Sequence, residues 1–435
     1  MASAWQARSP PEPPGHACWN RRYSIWVGSV QFRMWRSCVL LVAAAAVPLG
    51  AQPTTRAEEI QQAREEKAQS LKPEEVTRTE NFLLNLKDKK ILERITAGVW
   101  GFRLKLGGLA TGSGFALGPE YYRPDLLDGK LTFRSSAAVS FRTFQHYDMQ
   151  ASAPNLAGGR LFADVLAQHR NYPSLQYYGP GPDSAKTGRS NFRLEDTSVD
   201  FTAGVRPFRR LSAGLTGGYV MVNTGRGRDR RFASIEETYS EPATPGLVTQ
   251  SDFLRGGGFL QFDYRDNPGG PRRGGNYVAR YLYYSDRDAK QFSFRRFEAD
   301  LQQYFPFFNE RRVIVLRGNT EISDTNHGQR VPFYLQPVLG GSESLRGYRA
   351  FRFYDDNLLN FTAEYRWESF SGLDMAIFAD AGKVFGDLGQ FNLRDLESSV
   401  GFGFRFNVRN AVFLRIDVGF SHEGYQLWFK FNNVF

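Results

Sequence analysis

The main regularity in the chain is an alternation of apolar and polar residues that begins near Gly98 and continues to the end. Segments 131–141, 400–409, 411–420 and 425–435 each place apolar side chains at every second position. Successive side chains of a strand point to opposite faces, so each segment has one apolar and one polar face. The pattern therefore predicts a long series of β-strands without helical interruption.

The spacing of these segments predicts the number of strands and the ends at which they connect. An outer-membrane barrel has an even number of strands, so we expect sixteen, with one further strand in the first half besides the candidates. Phe208–Arg210 and Asn407–Asn410 are short connections, whereas 143–158 and 223–251 are expected to be long polar loops. The fifteen candidate strands centre near residues 102, 114, 136, 164, 197, 216, 258, 280, 297, 316, 362, 377, 403, 416 and 430.

Strand length and composition favour a membrane barrel over a soluble β-sandwich. The alternating segments approach the roughly 9–11 residues that a tilted membrane-spanning strand needs. The chain has 435 residues and a net charge of +10, but no run of roughly 20 apolar residues that would predict membrane helices. We therefore predict an all-β fold, a transmembrane antiparallel β-barrel over residues 96–435, preceded by a short helical segment.

The N-terminal region differs from the barrel in both composition and period. Residues 34–51 have a basic start, an apolar middle and small residues at the end, as a secretory signal peptide does. Residues 1–51 are therefore an N-terminal extension plus signal peptide, with the true start expected at Met34. Residues 52–95 form a short charged segment with two predicted helices in the periplasm, either a solvated tether or a helix that docks on the barrel. Cys18 and Cys38 are the only cysteines, and both precede the expected cleavage point.

Four motifs in the second half of the chain, together with its last residue, resemble a known family. These are Phe262–Pro268 (FDYRDNP), Gly340–Tyr348 (GGSESLRGY), Glu364–Arg366 (EYR) and Phe378–Gly382 (FADAG), in that order, with a C-terminal Phe435. They resemble the signatures of the BamA/TamA superfamily of outer-membrane assembly and translocation barrels, also called bacterial surface antigens. The resemblance is strongest over residues 252–435.

The resemblance implies a sixteen-stranded barrel whose signature loop folds into the lumen and pairs its arginine with acidic side chains. Here that loop contains Gly340, Gly341, Arg346, Gly347 and Tyr348, and Phe435 corresponds to the C-terminal signal of the barrel. Strand parity supports the pairing independently, because it places the polar side chains of two strands on the lumen face. Those side chains are Glu364 and Asp380. We therefore predict a structural lock of Arg346, Glu364 and Asp380.

The resemblance also implies a role in outer-membrane biogenesis or in protein or lipid translocation. We expect export to the outer membrane of a Gram-negative bacterium and contact with outer-membrane lipid. The roughly 45 residues before the barrel are too few for a periplasmic POTRA domain, so a separate periplasmic partner or a client barrel protein is the expected protein partner. Gly98, Gly101, Gly107 and Gly108 flank the first strand, and glycine weakens a strand ladder. Two explanations of these glycines remain: a weak ladder that lets the barrel open laterally at its first strand, or the ordinary glycine richness of outer-membrane strands.

Two other classes of function are less well supported by the sequence. A passive channel or structural surface barrel would use an inward row of arginines, Arg134, Arg142, Arg405 and Arg415, as its polar lining. An outer-membrane enzyme would need a nucleophile or metal motif, and none surrounds His146, His169, His327 or His422. We expect no catalytic, cofactor or metal site, and the absence of a basic block predicts no nucleic-acid partner.

Overall fold

The computed structural model describes residues 99–408 and 411–431. The predicted signal peptide, the predicted helical segment 52–95, Gly98 and the terminal Phe435 lie outside the described residues. The strands are β1 (Phe102–Gly107), β2 (Ala116–Asp125), β3 (Leu131–Ser140), β4 (Gln145–Leu156), β5 (Leu161–Tyr177), β6 (Ser190–Phe208), β7 (Leu211–Arg226), β8 (Phe253–Asp263), β9 (Gly274–Asp286), β10 (Phe294–Phe307), β11 (Arg312–Thr325), β12 (Val338–Leu339), β13 (Phe353–Tyr354), β14 (Asn357–Phe370), β15 (Leu373–Phe385), β16 (Glu397–Val408), β17 (Ala411–Ser421) and β18 (Gly424–Phe431).

Sixteen of these strands form one antiparallel sheet in which each strand pairs with the next along the chain. The two-residue strands β12 and β13 pair only with each other, inside the long connection between β11 and β14. The sheet curves until β1 and β18 become neighbours, since a Cβ built on Gly107 would lie 3.7 Å from the Cβ of Phe431. The prediction of a sixteen-stranded antiparallel barrel is confirmed.

Within the described residues, helical structure is found in the connections between strands. Within residues 99–408 and 411–431, no helix has the length and apolar character needed to cross a membrane. The helical turns are α1 (Leu126–Gly129), α2 (Ile235–Thr238) and the 3-10 turns Ala157–Gly159, Lys186–Gly188, Phe333–Leu335 and Leu388–Gln390.

The connections differ in length at the two ends of the barrel. At the end that holds the first residue of β1 and the last described residue of β18, β6 joins β7 and β14 joins β15 through two residues each. At the opposite end lie long connections such as 227–252 and 326–356. Short periplasmic turns and long outer loops are typical of outer-membrane barrels, so we name these the turn end and the loop end.

One sequence prediction for the loops is wrong. Residues 143–158 were expected to form a long polar loop, but most of them form β4, the strand missing from the fifteen candidates. Its lumen face carries His146, Asp148 and Gln150, while its outer face includes the small residues Ala151 and Ala153. The apolar side of the alternation is therefore too weak to recognise from the sequence.

Strand parity separates an apolar outer face from a polar inner face. Phe201 on β6, Leu215 on β7 and Ile377 on β15 are each more than half exposed on the outside. In β14, by contrast, Thr362, Glu364 and Arg366 point inward and are buried. An exposed apolar band around the wall matches a hydrocarbon environment, in which all backbone groups must be paired within the barrel.

The loop end is closed from inside by an apolar cluster. Side chains of the long connections meet the upper ends of the strands there, and Phe192, Phe253 and Phe333 are almost completely buried. Phe333 makes an edge-to-face contact with Phe192, with ring centroids 5.0 Å apart. Such pairs contribute about 0.5–1.5 kcal/mol beyond simple burial. The packed connections therefore cover the lumen at the loop end.

Candidate functional site

The signature loop, Gly340–Tyr348, runs inside the barrel and belongs to the connection between β11 and β14. Leu345 and Tyr348 are completely buried and pack with Leu339 and Phe353, the apolar ends of the β12–β13 pair. Leu358 on β14 and Val384 on β15 complete this cluster, so the same small core shapes the loop and seats it on the wall.

Three glycines allow the loop to follow this path. Gly340 and Gly341 have φ values of +106° and +108°, a region that L side chains rarely adopt. Gly347 is required for a different reason, because a Cβ there would lie 2.6 Å from both the carbonyl oxygen of Phe420 and the Cβ of Ser399. The loop backbone therefore lies directly against β16 and β17.

The structure brings Arg346, Glu364 and Asp380 together in the lumen. The Arg346 guanidinium donates from Nε to Asp380 Oδ2 at 3.0 Å, from Nη2 to Asp380 Oδ1 at 2.8 Å, and from Nη1 to Glu364 Oε2 at 2.7 Å. The contact with Asp380 is bidentate, the geometry that suits a planar guanidinium. The guanidinium carbon also lies 3.3 Å from the ring centroid of Phe378.

This ion cluster is drier than a polar lumen would suggest. The Arg346 side chain is 3% exposed, and the carboxylates of Glu364 and Asp380 are fully buried. Thr362 Oγ1 and Ser399 Oγ donate further hydrogen bonds to Asp380, at 3.0 and 3.2 Å. With so little solvent, removal of one charge would leave its partner uncompensated.

The cluster extends beyond the three residues that the sequence predicted. Arg366, Arg405, Arg415 and Asp417 join it, so that four cations surround three carboxylates. Glu364 accepts from Arg366 at 2.5 Å and from Arg405 at 2.9 Å, and Asp417 lies 2.5 Å from Arg405. Strand parity predicted that Arg405 and Arg415 point inward, but it led us to interpret them as the lining of a polar lumen and not as members of an ion cluster. The same parity places Arg366 and Asp417 inward and could have identified them.

Tyr348 and the rest of the connection attach to the last three strands. Tyr348 is fully buried, and its hydroxyl lies 3.0 Å from His422 Nδ1, in the turn between β17 and β18. Arg352 forms an ion pair at 2.8 Å with Glu423 in the same turn. The described loop-end turn of the last hairpin is therefore fastened to the same connection that carries the signature loop.

β18 is held directly by the signature loop. Trp428 Nε1 donates to the carbonyl oxygen of Arg346 at 2.7 Å, and Lys430 Nζ lies 2.6 Å from Glu343 Oε1. Neighbouring Arg415 on β17 donates to the carbonyl oxygen of Ser342. Trp428 was not singled out from the sequence, although it lies on the polar face of an alternating segment, where an indole N–H needs a partner.

The junction between β1 and β18, which we call the seam, is incomplete toward the loop end. β1 ends at Gly107, beside Phe431, so the part of β18 from Gly424 to Lys430 faces the β1–β2 loop (108–115) instead of a strand. No ladder pairing joins this part of β18 to another strand on that side within residues 99–408 and 411–431. An unpaired edge of this kind is a template for another strand.

Side chains rather than a backbone ladder connect the two sides of the seam at this level. On the outer face, the rings of Phe115 and Phe431 meet edge-to-face with centroids 5.3 Å apart. On the inner face, Thr111 Oγ1 lies 3.5 Å from Ser342 Oγ of the signature loop. Both contacts are weak compared with the ion cluster that holds the loop to the opposite side.

Other predicted features are located as follows. The FDYRDNP motif forms the turn between β8 and β9, where Asp263 and Arg265 form an ion pair at 2.7 Å. Arg134 lies within 3.7 Å of Asp148, while Arg142 is exposed at the loop end. Across the part of the chain that the structure describes, no group of three or more His, Cys, Asp or Glu residues could hold a metal ion.

Comparison with solved structures places this geometry among known barrels. The crystal structure of BamA from Haemophilus ducreyi lacking POTRA domains 1–3 superposes with a TM-score of 0.56 at 14% identity, over 76% of this chain and 69% of that one. CdiB from Escherichia coli gives a TM-score of 0.52 at 13% identity, over 76% of this chain and 62% of that one. This chain thus spans less than two thirds of the CdiB chain, and at such identities the likeness shows the fold alone.

The family itself is identified by sequence. No curated protein matches the chain, but the model of the Omp85 superfamily domain matches residues 134–432. This range includes the signature loop, the ion cluster and β18, and it covers more than half of the chain. The resemblance to outer-membrane assembly and translocation barrels is confirmed. The chain belongs to the Omp85 superfamily.

Proposed function

We propose that this barrel resides in the outer membrane of a Gram-negative bacterium and inserts or translocates client polypeptides by opening its seam. The observation that carries the proposal is the free edge of β18 between Gly424 and Lys430. A client strand can add to such an edge through main-chain hydrogen bonds, without a fixed client sequence.

The distribution of bonds around the seam supports this direction of opening. β18 is bonded to the signature loop through Trp428 and Lys430, whereas β1 is tied to the wall behind it, since Lys105 Nζ donates to Ser136 Oγ at 2.6 Å. At the level of Phe115 and Phe431 the two sides are therefore held by different neighbours. The bonds that join them lie toward the loop end, where the β5–β6 connection contacts Arg352 and Glu423. Separating them breaks the Phe115–Phe431 and Thr111–Ser342 contacts and leaves the ion cluster intact.

The filled lumen argues against a passive channel. The signature loop occupies the interior at the level of Arg346, and the apolar cluster around Phe333 closes the loop end. A permanently open pore would need both to be absent. A channel therefore remains the second candidate, without a specific observation in its favour.

The protein partners follow from this proposal. The fold is similar to those of BamA and CdiB, and the proposed insertion or translocation requires a client and a protein that delivers it. The client is an unfolded polypeptide that arrives at the turn end, where a separate periplasmic protein delivers it. Outer-membrane lipid contacts the exposed apolar band and receives the inserted client.

A reversible disulfide across the seam tests the proposal. In Thr111→Cys/Ser342→Cys, the sulfur atoms replace hydroxyl oxygens that lie 3.5 Å apart, and a small shift brings them to bonding distance. No cysteine lies between residue 39 and the C-terminus, so no native thiol of the mature chain competes. The purified mature chain in vesicles should assemble an added eight-stranded outer-membrane barrel when reduced and lose this activity when oxidised.

A second disulfide provides the matched control. Ala279 and Ala299 are paired outward-facing residues on β9 and β10, so Ala279→Cys/Ala299→Cys joins two strands that are already paired. Oxidation of this variant should leave client assembly unchanged. Equal activity of the oxidised and reduced seam variant, or no assembly above protein-free vesicles by the wild type, would overturn the proposal. Steady ion conductance of the wild type in a planar bilayer would favour the channel.

A further inference from the structure

A cavity of about 610 Å³ occupies the incomplete part of the seam. Its wall includes residues from both faces of β18, namely the outward Leu427 and Phe429 and the inward Trp428 and Lys430. The cavity therefore lies at the strand edge and joins the lipid-facing surface to the interior of the barrel. Phe115, on the other side of the seam, adds a further apolar surface.

The polar side of this cavity is strongly cationic. Arg142, Arg189, Arg349 and Lys430 line it, and the lining includes no Asp or Glu. Lys430 is neutralised by Glu343, at 2.6 Å. Within residues 99–408 and 411–431, the three arginines form no ion pair, whereas the arginines of the ion cluster each lie close to a carboxylate.

Within the described residues, two of the three arginines keep unused N–H donors, while the third, Arg349, forms a side-chain hydrogen bond with Tyr178. Arg142 uses one N–H, to the carbonyl oxygen of Gly112 at 2.7 Å. Arg189 stacks on Phe232, with its guanidinium carbon 3.7 Å from the ring centroid, and its buried Nε has no hydrogen-bond partner. Burial, together with repulsion from Arg349, lowers the pKa of the Arg189 guanidinium. An anion between Arg189 and Arg349 would supply the missing hydrogen bond and remove the repulsion.

A smaller cavity of about 230 Å³ continues from the first and shares Arg142, Thr111 and Gly112 with it. It adds Arg228 and Arg231, with Asp229 as its one carboxylate. Asp229 is already paired with Arg231 at 2.7 Å. The combined space thus keeps an excess of positive charge at its polar end and an apolar surface at its lipid-facing end.

We propose that this cavity binds a phosphate-bearing lipid, with the phosphate on Arg142, Arg189 and Arg349 and an acyl chain along Phe115, Leu427 and Phe429. Arginine suits this ligand because its planar N–H donors match phosphate oxygens in pairs. The apolar residues favour a lipid over a free anion, because Leu427 and Phe429 extend the lipid-facing band up to the phosphate site. The inference depends on the outer-membrane location proposed above, but not on client insertion.

The bound lipid would occupy the edge that a client strand needs. It would shield β18 from Gly424 to Lys430 while the seam is closed, and a client would displace it. An exposed strand edge promotes unwanted pairing, so a displaceable lipid gives the free edge a protected resting state.

Lipid binding by the purified full chain in detergent tests the inference without any insertion assay. The probes are lipid A with two phosphates, the same lipid with both phosphates removed, and inorganic phosphate alone. Retention in native mass spectrometry and the shift of the unfolding temperature are measured with each. We expect the phosphorylated lipid to bind, and the dephosphorylated lipid to bind at least about tenfold more weakly, because charge-assisted hydrogen bonds contribute more than the 1.4 kcal/mol that equals tenfold. Inorganic phosphate should also bind at least about tenfold more weakly, because it lacks the acyl chain that contacts the apolar residues.

Substitutions locate the site. Arg189→Gln and Arg349→Gln should each weaken lipid binding about tenfold, whereas Arg287→Gln, an exposed arginine in another loop-end connection, should leave it unchanged. Equal binding of the phosphorylated and dephosphorylated lipid would overturn the inference, as would equal effects of all three substitutions. Inorganic phosphate that binds as tightly as the lipid would show a free anion site and overturn the lipid assignment. Because binding is measured apart from client assembly, each proposal can fail alone.

Discussion

The two walls that meet at the seam hold the signature loop very differently. The C-terminal wall, β14–β18, binds it through the buried bidentate pair of Arg346 with Asp380, a second bond to Glu364 and the indole of Trp428. The N-terminal wall, β1–β4, reaches it through the β1–β2 loop, by the Thr111–Ser342 contact at 3.5 Å and by packing of the Thr111 methyl group against Gly341. The difference supports the proposed opening, in which the loop moves with β18 and β1–β2 separates from both.

The largest expected effect comes from Arg346→Ala. Asp380 then loses its nearest cation, while Glu364 keeps Arg366 and Arg405. Breaking a buried pair by removing one partner costs about 3–5 kcal/mol, and the full burial of both carboxylates supports this figure over the smaller cost expected in a wet lumen. Urea unfolding of the folded barrel should report the loss.

A double-mutant cycle sharpens this prediction. Coupling of Arg346 to Asp380, measured with Arg346→Ala and Asp380→Asn, should exceed coupling of Arg346 to Glu364, measured with Glu364→Gln, because only Glu364 has other cations. Equal couplings, or couplings near zero, would contradict the role assigned to the loop arginine.

Gly347→Ala should have the next largest effect. Its new methyl group would meet backbone and Cβ atoms at 2.6 Å, and such overpacking costs about 1–3 kcal/mol. The control is Gly389→Ala in a loop-end 3-10 turn, where the added Cβ has no heavy atom within 4 Å. Unfolding temperatures of the two variants should differ clearly; a Gly347→Ala barrel as stable as the control would show that the loop is not seated firmly on β16–β17.

A smaller effect should depend on pH and involves Asp355, just before β14. Burial raises the pKa of Asp355 to about 6. A carboxyl whose pKa is higher in the folded than in the unfolded state favours folding when it is protonated. This contribution is fully present below the unfolded pKa and is lost as pH rises from about 4 to 6. Asp355→Asn should therefore stabilise the barrel by about 1–2 kcal/mol at pH 7, after allowance for partial exposure, and by much less at pH 4. Equal effects at both pH values would contradict the shift.

The smallest effects compare single contacts on the two walls. Trp428→Phe removes the hydrogen bond to Arg346 and should cost about 1 kcal/mol, whereas Thr111→Ala removes a long hydroxyl contact and should cost less. Both are measured as shifts in urea midpoint. A larger cost for Thr111→Ala than for Trp428→Phe would show that the signature loop is held mainly by the N-terminal wall, which would contradict its attachment to the C-terminal wall.

The sequence predicted most of this architecture because alternation directly reports which face of a strand each side chain occupies. Strand parity placed Glu364 and Asp380 in the lumen from the sequence alone. It failed at β4, where only Tyr147 and Met149 are large among the outward residues, and it could not indicate which inward charges share a cluster. Arg405 and Asp417 pair across β16 and β17 through their register, and an alternating pattern within one strand does not encode register.

The seam was the least predictable region. Glycines near β1 suggested a weak ladder, but nothing in 108–115 indicates that this loop folds inward against Ala350 and leaves the β18 edge unpaired. Such contacts depend on the tertiary path of two distant connections. The contacts of the N-terminal wall were thus not predictable from the sequence, whereas those of the C-terminal wall largely were.

Hydrogen exchange of the full chain in lipid nanodiscs tests the difference between the two walls most directly. Backbone amides of β1 and the β1–β2 loop should exchange well before those of β14–β17, because their local opening leaves the ion cluster intact. Arg346→Ala should then speed exchange in the signature loop and in β18 without further effect on β1. Exchange of β1 that is as slow as exchange of β14–β17, or that accelerates together with β18, would contradict a seam that opens between two separately bonded walls.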